Sequence, residues 1–256
     1  NIVTNGLLLS NQKIEQLIDQ KNFKVLGVSI DTIGNVNRDF KKSQWEILVQ
    51  QLNKFITLRD NKNHEAALDI KTVILDENID DLFAIHKVVM ETLKADTHSL
   101  QMLKGAEIQH SDLMFDFQQI DTEYEAYQYK KFSKLVDQFN LIKEYDDKFG
   151  YKTYLHPSMI KFEGQKKFRK EDLFYLNNKR HEPKNFSTCY APWSSVHINV
   201  DGNLFPCMAV SMGNVKTTQL KDIIFSSEFK KFKDIIRRQG TINGCNRCGW
   251  LKPKES

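Results

Sequence analysis

Long apolar runs are missing from this chain. The longest are about four residues, as at Leu82-Phe83-Ala84-Ile85, whereas a membrane-spanning helix needs roughly 20. Charge of one sign is also missing: 37 Lys+Arg against 33 Asp+Glu leave +4, short of the lopsided basicity of a nucleic-acid binder. Neither a membrane nor a nucleic acid is expected as a partner. The start has no charged or apolar leader region, because Asn1–Asn5 runs straight into strand-like sequence. It reads as a cut end and not as a signal peptide, and a soluble, cytoplasmic protein is expected. No Gly-rich phosphate loop, Ser-nucleophile elbow or H-E-x-x-H is present. The seven histidines show no metal-ligand spacing, and no internal repeat is visible. Cysteine is the most telling absence: residues 1–188 hold none.

What is present suits a folded α/β protein. Apolar side chains make up 40% of 256 residues, enough for one large domain or for a medium and a small one. Short β-branched runs alternate with amphipathic helical stretches, the pattern of a parallel sheet built from βα units. Ile2-Val3-Thr4 ends a strand, and Ser10 caps a helix carrying Ile14, Leu17 and Ile18. Phe23 to Ile30 is a second strand, followed from about Ser43 by a helix striped with Trp45, Leu48, Val49, Leu52, Phe55 and Ile56. Ala67 to Leu75 and Ser99 to Leu103 read as further strands, Asp80 to Leu93 and Tyr124 to Phe149 as helices, and Tyr151 to Met159 as a fifth strand. Functional groups of an open or barrel-like parallel sheet collect at the C-terminal strand ends. From Gly164 to Lys184 the chain turns basic and loses its periodicity, which reads as a linker of solvated charges.

All four cysteines follow that linker: Cys189, Cys207 and the C-x-x-C pair Cys245 and Cys248. Such a one-ended distribution points to a single site made by four thiolates. Val196 to Cys207 alternates apolar and polar residues around Asp201-Gly202, a hairpin signal. A two-residue loop there sets Val200 against Asn203, Ile198 against Phe205 and Val196 against Cys207, with His197 on the opposite face and Pro206 marking an edge strand. Gly213-Asn214 reads as a turn, and Leu220 to Phe225 and Ser227 to Arg238 as helices, the second capped by Ser227. Spacing leaves zinc and an iron–sulfur cluster both open. A zinc-stapled binding module on a degenerate α/β domain is therefore the alternative function.

The run Cys189-Tyr190-Ala191-Pro192-Trp193, Ile198-x-Val200-Asp201-Gly202-x-Leu204-x-Pro206-Cys207, Gly213-Asn214-Val215, Leu220-x-Asp222-Ile223 and Cys245-x-x-Cys248 resembles the auxiliary-cluster domain of radical S-adenosylmethionine (radical SAM) enzymes. Four cysteines match the shortened "twitch" version of its SPASM domain. The resemblance implies an α/β fold. A partial parallel (β/α) radical SAM barrel lacking its first strands takes residues 1–163, a basic linker 164–188, and a small α+β SPASM/twitch iron–sulfur domain 189–256. It implies that Cys189, Cys207, Cys245 and Cys248 bind one auxiliary 4Fe-4S cluster, with Pro192 and Trp193 as packing residues. Thr4-Asn5-Gly6 and Val28-Ser29-Ile30-Asp31 resemble ends of the third and fourth barrel strands, which makes Thr4, Asn5, Ser29 and Asp31 residues on the S-adenosylmethionine side. Leu68 to Leu75 with Asp76-Glu77-Asn78 resembles the fifth strand, and Ser99-Leu100-Gln101-Met102 the sixth.

The family's Cys-x-x-x-Cys-x-x-Cys loop, which binds a second 4Fe-4S cluster, is not in these residues. Two βα units, roughly 60 or more residues, are expected upstream of Asn1, and the chain by itself should make no radical. In the full protein the resemblance implies a 5′-deoxyadenosyl radical that abstracts hydrogen from a carbon of a peptide or small-molecule substrate. The auxiliary cluster would accept an electron, and a flavodoxin- or ferredoxin-like partner would exchange electrons with the enzyme. No residue stands out as the general base.

Overall fold

Parallel pairing of five short segments organises the first part of the chain. The computed structural model describes residues 1–33, 42–103, 127–156, 167–177, 182–207, 210–245, 247–252 and 254. Strands β1 (Ile2–Thr4), β2 (Val25–Ser29), β3 (Ala67–Ile74), β4 (Thr97–Met102) and β5 (Thr153–His156) lie side by side in chain order. The pairs β1–β2, β2–β3 and β3–β4 are parallel. Parallel neighbours need crossover connections of one hand, so strands in chain order send their helices to the same face.

That face is aliphatic. Leu26, Val28 and Ile30 and, on β3, Leu68 and Ile70 pack against Ile14 and Ile18 of helix α1 (Asn11–Ile18) and Leu48, Leu52 and Phe55 of α2 (Lys42–Asn61). Ile85 of α3 (Leu82–Lys87) and the following Val89 complete the layer. Burying such side chains stabilises by about 1.5–3 kcal/mol each. Ser10 caps α1 by accepting from the Lys13 N–H. The long helix α4 (Phe132–Phe149) stops at Gly150, which takes the left-handed backbone of a C-cap.

Side chains alternate along a strand, so the other face carries Gly27, Ser29, Asp69, Lys71, Thr97, Ser99 and Gln101. The register places Gly27, Asp69 and Thr97 in one row and Ser29, Lys71 and Ser99 in the next. Asp69 accepts from the Thr97 and Ser99 hydroxyls, both at 2.8 Å, and pairs with Lys71 at 2.6 Å. The lysine stem crosses Gly27, where a Cβ would stand 3.0 Å from Lys71 Cε. A glycine inside a strand, ordinarily a weak choice, here makes room for a neighbour's side chain.

Three expected elements differ. The helix from Asp80 to Leu93 is a 3₁₀ turn (Ile79–Asp81), then α3, then a π turn (Val88–Thr92). The helix expected from Tyr124 is described from Phe132, and residues 104–126 lie outside the described ones. The fifth strand is described to His156, with Met159 likewise outside.

The chain divides into two compact units, the first including Asn1–Met102 and Tyr129–Leu155 and ending at Leu173, the second running from Phe174 and including Leu103. The segment read as a linker is thus shared between units. It has apolar anchors at Phe168, Leu173, Leu176 and Phe186, all buried. The Asn140 side chain also bonds both backbone groups of Phe168, at 2.7 and 3.0 Å. Lys167, Arg169, Lys170 and Lys184 are exposed, as solvated charges should be, and Lys166, Lys179 and Arg180 lie outside the described residues.

A buried polar chain links the sheet to α3 and α4. The Thr72 hydroxyl donates to Ile30 O at 2.6 Å, so it accepts from His98 Nε2 at 3.0 Å. His98 Nδ1 then accepts from His86 Nδ1, also at 3.0 Å. His86 Nε2 stands 2.9 Å from Asp146 Oδ1. Burial, and then the neighbouring His86, hold His98 well below the usual histidine range. The unfolded chain takes up that proton near pH 6.5 and the folded one only well below it, so stability is lost as pH falls under about 6.5, by up to about 1.4 kcal/mol per pH unit. Urea unfolding at about pH 7.5 and 5.5 should show this loss in the native protein and a flatter profile in His98→Gln.

Candidate functional site

The second unit holds a three-stranded antiparallel sheet, with β7 (Asn203–Phe205) between β6 (His197–Ile198) and β8 (Gly213–Asn214). His197 faces Phe205 and Ile198 faces Leu204, one residue off the register expected from a two-residue loop. Asn199 causes the slip. Its side-chain oxygen accepts from the N–H groups of Asp201 and Asn203 at 3.1 and 2.9 Å, and its carbonyl accepts from Gly202. Gly202, at φ 87°, supplies the left-handed residue of a three-residue loop.

A one-residue slip exchanges the faces. Ile198 is exposed and Leu204 fully buried. His197 stacks on Phe205 with ring centroids 5.5 Å apart, the side on which alternation put Cys207, not the opposite one. Two further readings are corrected: Gly213-Asn214 is a strand and not a turn, and it makes β7 central instead of an edge. Pro206 is tolerated because β7 ends at Phe205.

Around this sheet lie α6 (Ala191–Ser194), α7 (Leu220–Ile224) and α8 (Ser227–Gln239), α5 being the short turn Lys170–Leu173. Ser226, one residue before the expected cap, accepts from the Phe229 N–H and starts α8. Its Phe232 and Ile236 form a small core with Val210 and Ile242, against which Cys189, Cys207 and Cys245 pack.

All four cysteines are free thiols and half-buried. Cys189 is tied to the end of α8 by its N–H to Gly240 O at 2.9 Å. Cys245 lies in a 3₁₀ turn (Asn243–Cys245), and the Cys248 N–H closes the next turn onto Cys245 O, also at 2.9 Å. The Ile242 N–H donates to Cys245 Sγ at 3.4 Å. Burial pushes the Cys245 thiol well up, helped by Cys207, Cys248 and Cys189, while the Ile242 N–H opposes the rise. Burial also raises Cys189, with the Ala191 backbone opposing and Cys248 adding to it. Ionisation of Cys189 and Cys245 is therefore costly, and a bound cationic centre would reverse that cost. Among the described residues no three His, Cys, Asp or Glu are grouped to hold a single metal ion.

Residues 189–249 match the sequence profile of SPASM, an iron–sulfur cluster-binding domain. Of the two chemistries that cysteine spacing leaves open, that match favours the iron–sulfur cluster, and the donor set fits, with four thiols and an N–H aimed at one sulfur. A solved structure of native anSMEcpe with bound AdoMet matches 90% of this chain at 16% identity and a TM-score of 0.51. The α/β sheet followed by the cysteine-bearing tail is the fold this chain shares with that structure. The chain spans 57% of that protein's length. No curated protein sequence matches the chain.

The residues expected on the S-adenosylmethionine side sit at the C-terminal ends of β1 and β2. Thr4 lies opposite Val28, on the helix-packed side, and its hydroxyl accepts from the Gly6 N–H at 3.0 Å. Asn5 holds the same turn through the Leu7 N–H. Asp31 accepts from the Val73 N–H at 2.7 Å, and its carbonyl accepts from Asn78 Nδ2. Ser29 lies opposite Lys71 on the polar face. Asp69, Lys71, Ser99 and Gln101 share that face and were not singled out individually from the sequence; the signal available was the alternation of polar residues, Asp69 and Lys71 on β3 and Thr97, Ser99 and Gln101 on β4. In the anaerobically purified chain, iron and acid-labile sulfide should be found together, and Cys245→Ser or Cys207→Ser should remove most of both, read by metal analysis and visible absorption.

Proposed function

We propose that the chain belongs to a radical SAM enzyme that abstracts a hydrogen atom from a carbon of a peptide or small-molecule substrate. The convergence of four free thiols within a SPASM domain carries this reading, because that donor set suits an auxiliary 4Fe-4S cluster. When bound, S-adenosylmethionine and its reducing cluster supply a 5′-deoxyadenosyl radical, and the auxiliary cluster supplies an electron acceptor. Cys189, Cys207, Cys245 and Cys248 fill the auxiliary coordination and leave no position there for substrate.

On the sheet, Ser29 and the turn held by Thr4 and Asn5 present polar groups to the cofactor, and Asp31 fixes the end of β2 against β3. The Asp69–Lys71 pair holds both charges in place on the polar face. The Cys-x-x-x-Cys-x-x-Cys loop is not among these 256 residues, so radical formation depends on sequence beyond them. A flavodoxin- or ferredoxin-like protein is the proposed electron partner, in the cytoplasm. The full-length natural protein, reduced anaerobically with dithionite, should convert S-adenosylmethionine to 5′-deoxyadenosine, whereas the 256-residue chain should not. A colourless protein holding one zinc per chain, or a full-length protein that leaves S-adenosylmethionine intact, overturns the reading.

A further inference from the structure

Two aromatic side chains follow Cys189 and face solvent. Tyr190 is 70% exposed and Trp193 38%, with ring centroids 5.8 Å apart. Two contacts tie this pair to the thiol site. Trp193 belongs to α6, whose first residue, Ala191, hydrogen-bonds the Cys189 thiol through its backbone. The Cys189 N–H reaches Gly240 O at 2.9 Å, directly after the last turn of α8.

Helix α8 is basic where it meets the tryptophan. It carries Lys230, Lys231, Lys233, Arg237 and Arg238 against Glu228 and Asp234. Lys230, Lys233 and Arg237 recur at i, i+3 and i+7 and so share one side, where Asp234 pairs with Arg237. Lys233 Nζ stands 5.9 Å from the Trp193 ring centroid, and the Arg237 guanidinium carbon 5.6 Å. A cation held over an indole is ordered and still charged, so this surface offers positive charge and aromatic area together. A net charge of only +4 on the whole chain makes the basicity local, which suits a small acidic protein better than a nucleic acid. Electron-transfer encounters use small interfaces steered by charge.

We propose that Tyr190, Trp193, Lys230, Lys233 and Arg237 form the docking surface for an acidic carrier protein of the ferredoxin class. The role rests on the cluster reading above, because the surface lies on the segment that supplies the ligand Cys189. In the docked pair one electron leaves the reduced auxiliary cluster, which is oxidised, and reduces the carrier, with no bond made or broken.

The experiment titrates a fluorescently labelled acidic [2Fe–2S] ferredoxin with the anaerobically iron-loaded full chain and reads the Kd by anisotropy. The Kd should rise about tenfold between about 20 and about 200 mM sodium chloride. Lys230→Glu with Arg237→Glu should weaken binding about tenfold at low salt, and Tyr190→Ala about threefold. Lys21→Glu with Lys152→Glu, an equal charge change at exposed sites on the first unit, should stay within a few-fold of wild type. Ferredoxin with amidated surface carboxylates should bind the wild-type chain about tenfold more weakly, a readout that needs no variant to fold. Salt-independent binding, equal weakening by both charge reversals, unchanged affinity of Tyr190→Ala or unchanged binding of amidated ferredoxin overturns the proposal. So does a single-stranded DNA oligonucleotide that binds more tightly than ferredoxin and is lost on the patch reversal. A wild-type chain that takes up iron and binds no ferredoxin overturns the docking surface alone, whereas one that takes up no iron overturns the cluster assignment itself.

Discussion

Four thiols gathered in a partly dry interior are useful only when a positive centre joins them. The thiolates of Cys189 and Cys245 are disfavoured chiefly by burial, Cys245 most strongly. Much of the second unit's local structure brings these sulfurs together. The N–H of Cys189 docks on the last turn of α8, the 3₁₀ turn presents Cys245, and buried Arg247, bonded to the Leu103 carbonyl, clamps the segment leading to Cys248. Packing of Cys189, Cys207 and Cys245 on Val210, Phe232, Ile236 and Ile242 makes a small apolar core continuous with the site. A unit with so little apolar material would gain cohesion from a bound centre, since metal binding and folding are coupled.

The first unit separates apolar packing and polar groups by strand face. Strands in chain order place the helices on one side, and the aliphatic residues of β2 and β3 cement that layer. The opposite face is then free to be polar, and Asp69, satisfied by two hydroxyls and a lysine, shows how charge is kept there at low cost. Gly27 takes part by yielding its side-chain space to Lys71. The buried histidines on the helix side follow a different logic, in which the direction of each hydrogen bond fixes the next donor, from Ile30 through Thr72 and His98 to His86.

Alternation of β-branched runs with helical stripes determined the parallel α/β class. Ser10 and Gly150 marked helix ends through their own local chemistry, and the confinement of cysteine to the tail pointed to one thiolate site. These are properties of spacing and periodicity, which a chain carries wherever it folds. Tertiary structure decided the rest. The hairpin register turned on the side chain of Asn199, which outcompeted the loop suggested by Asp201-Gly202. The contact of His86 with His98, the row of Ser29, Lys71 and Ser99, and the burial of Arg247 each join segments distant in sequence. No local pattern encodes them, because burial and register are settled by which long-range contacts win when the whole chain packs.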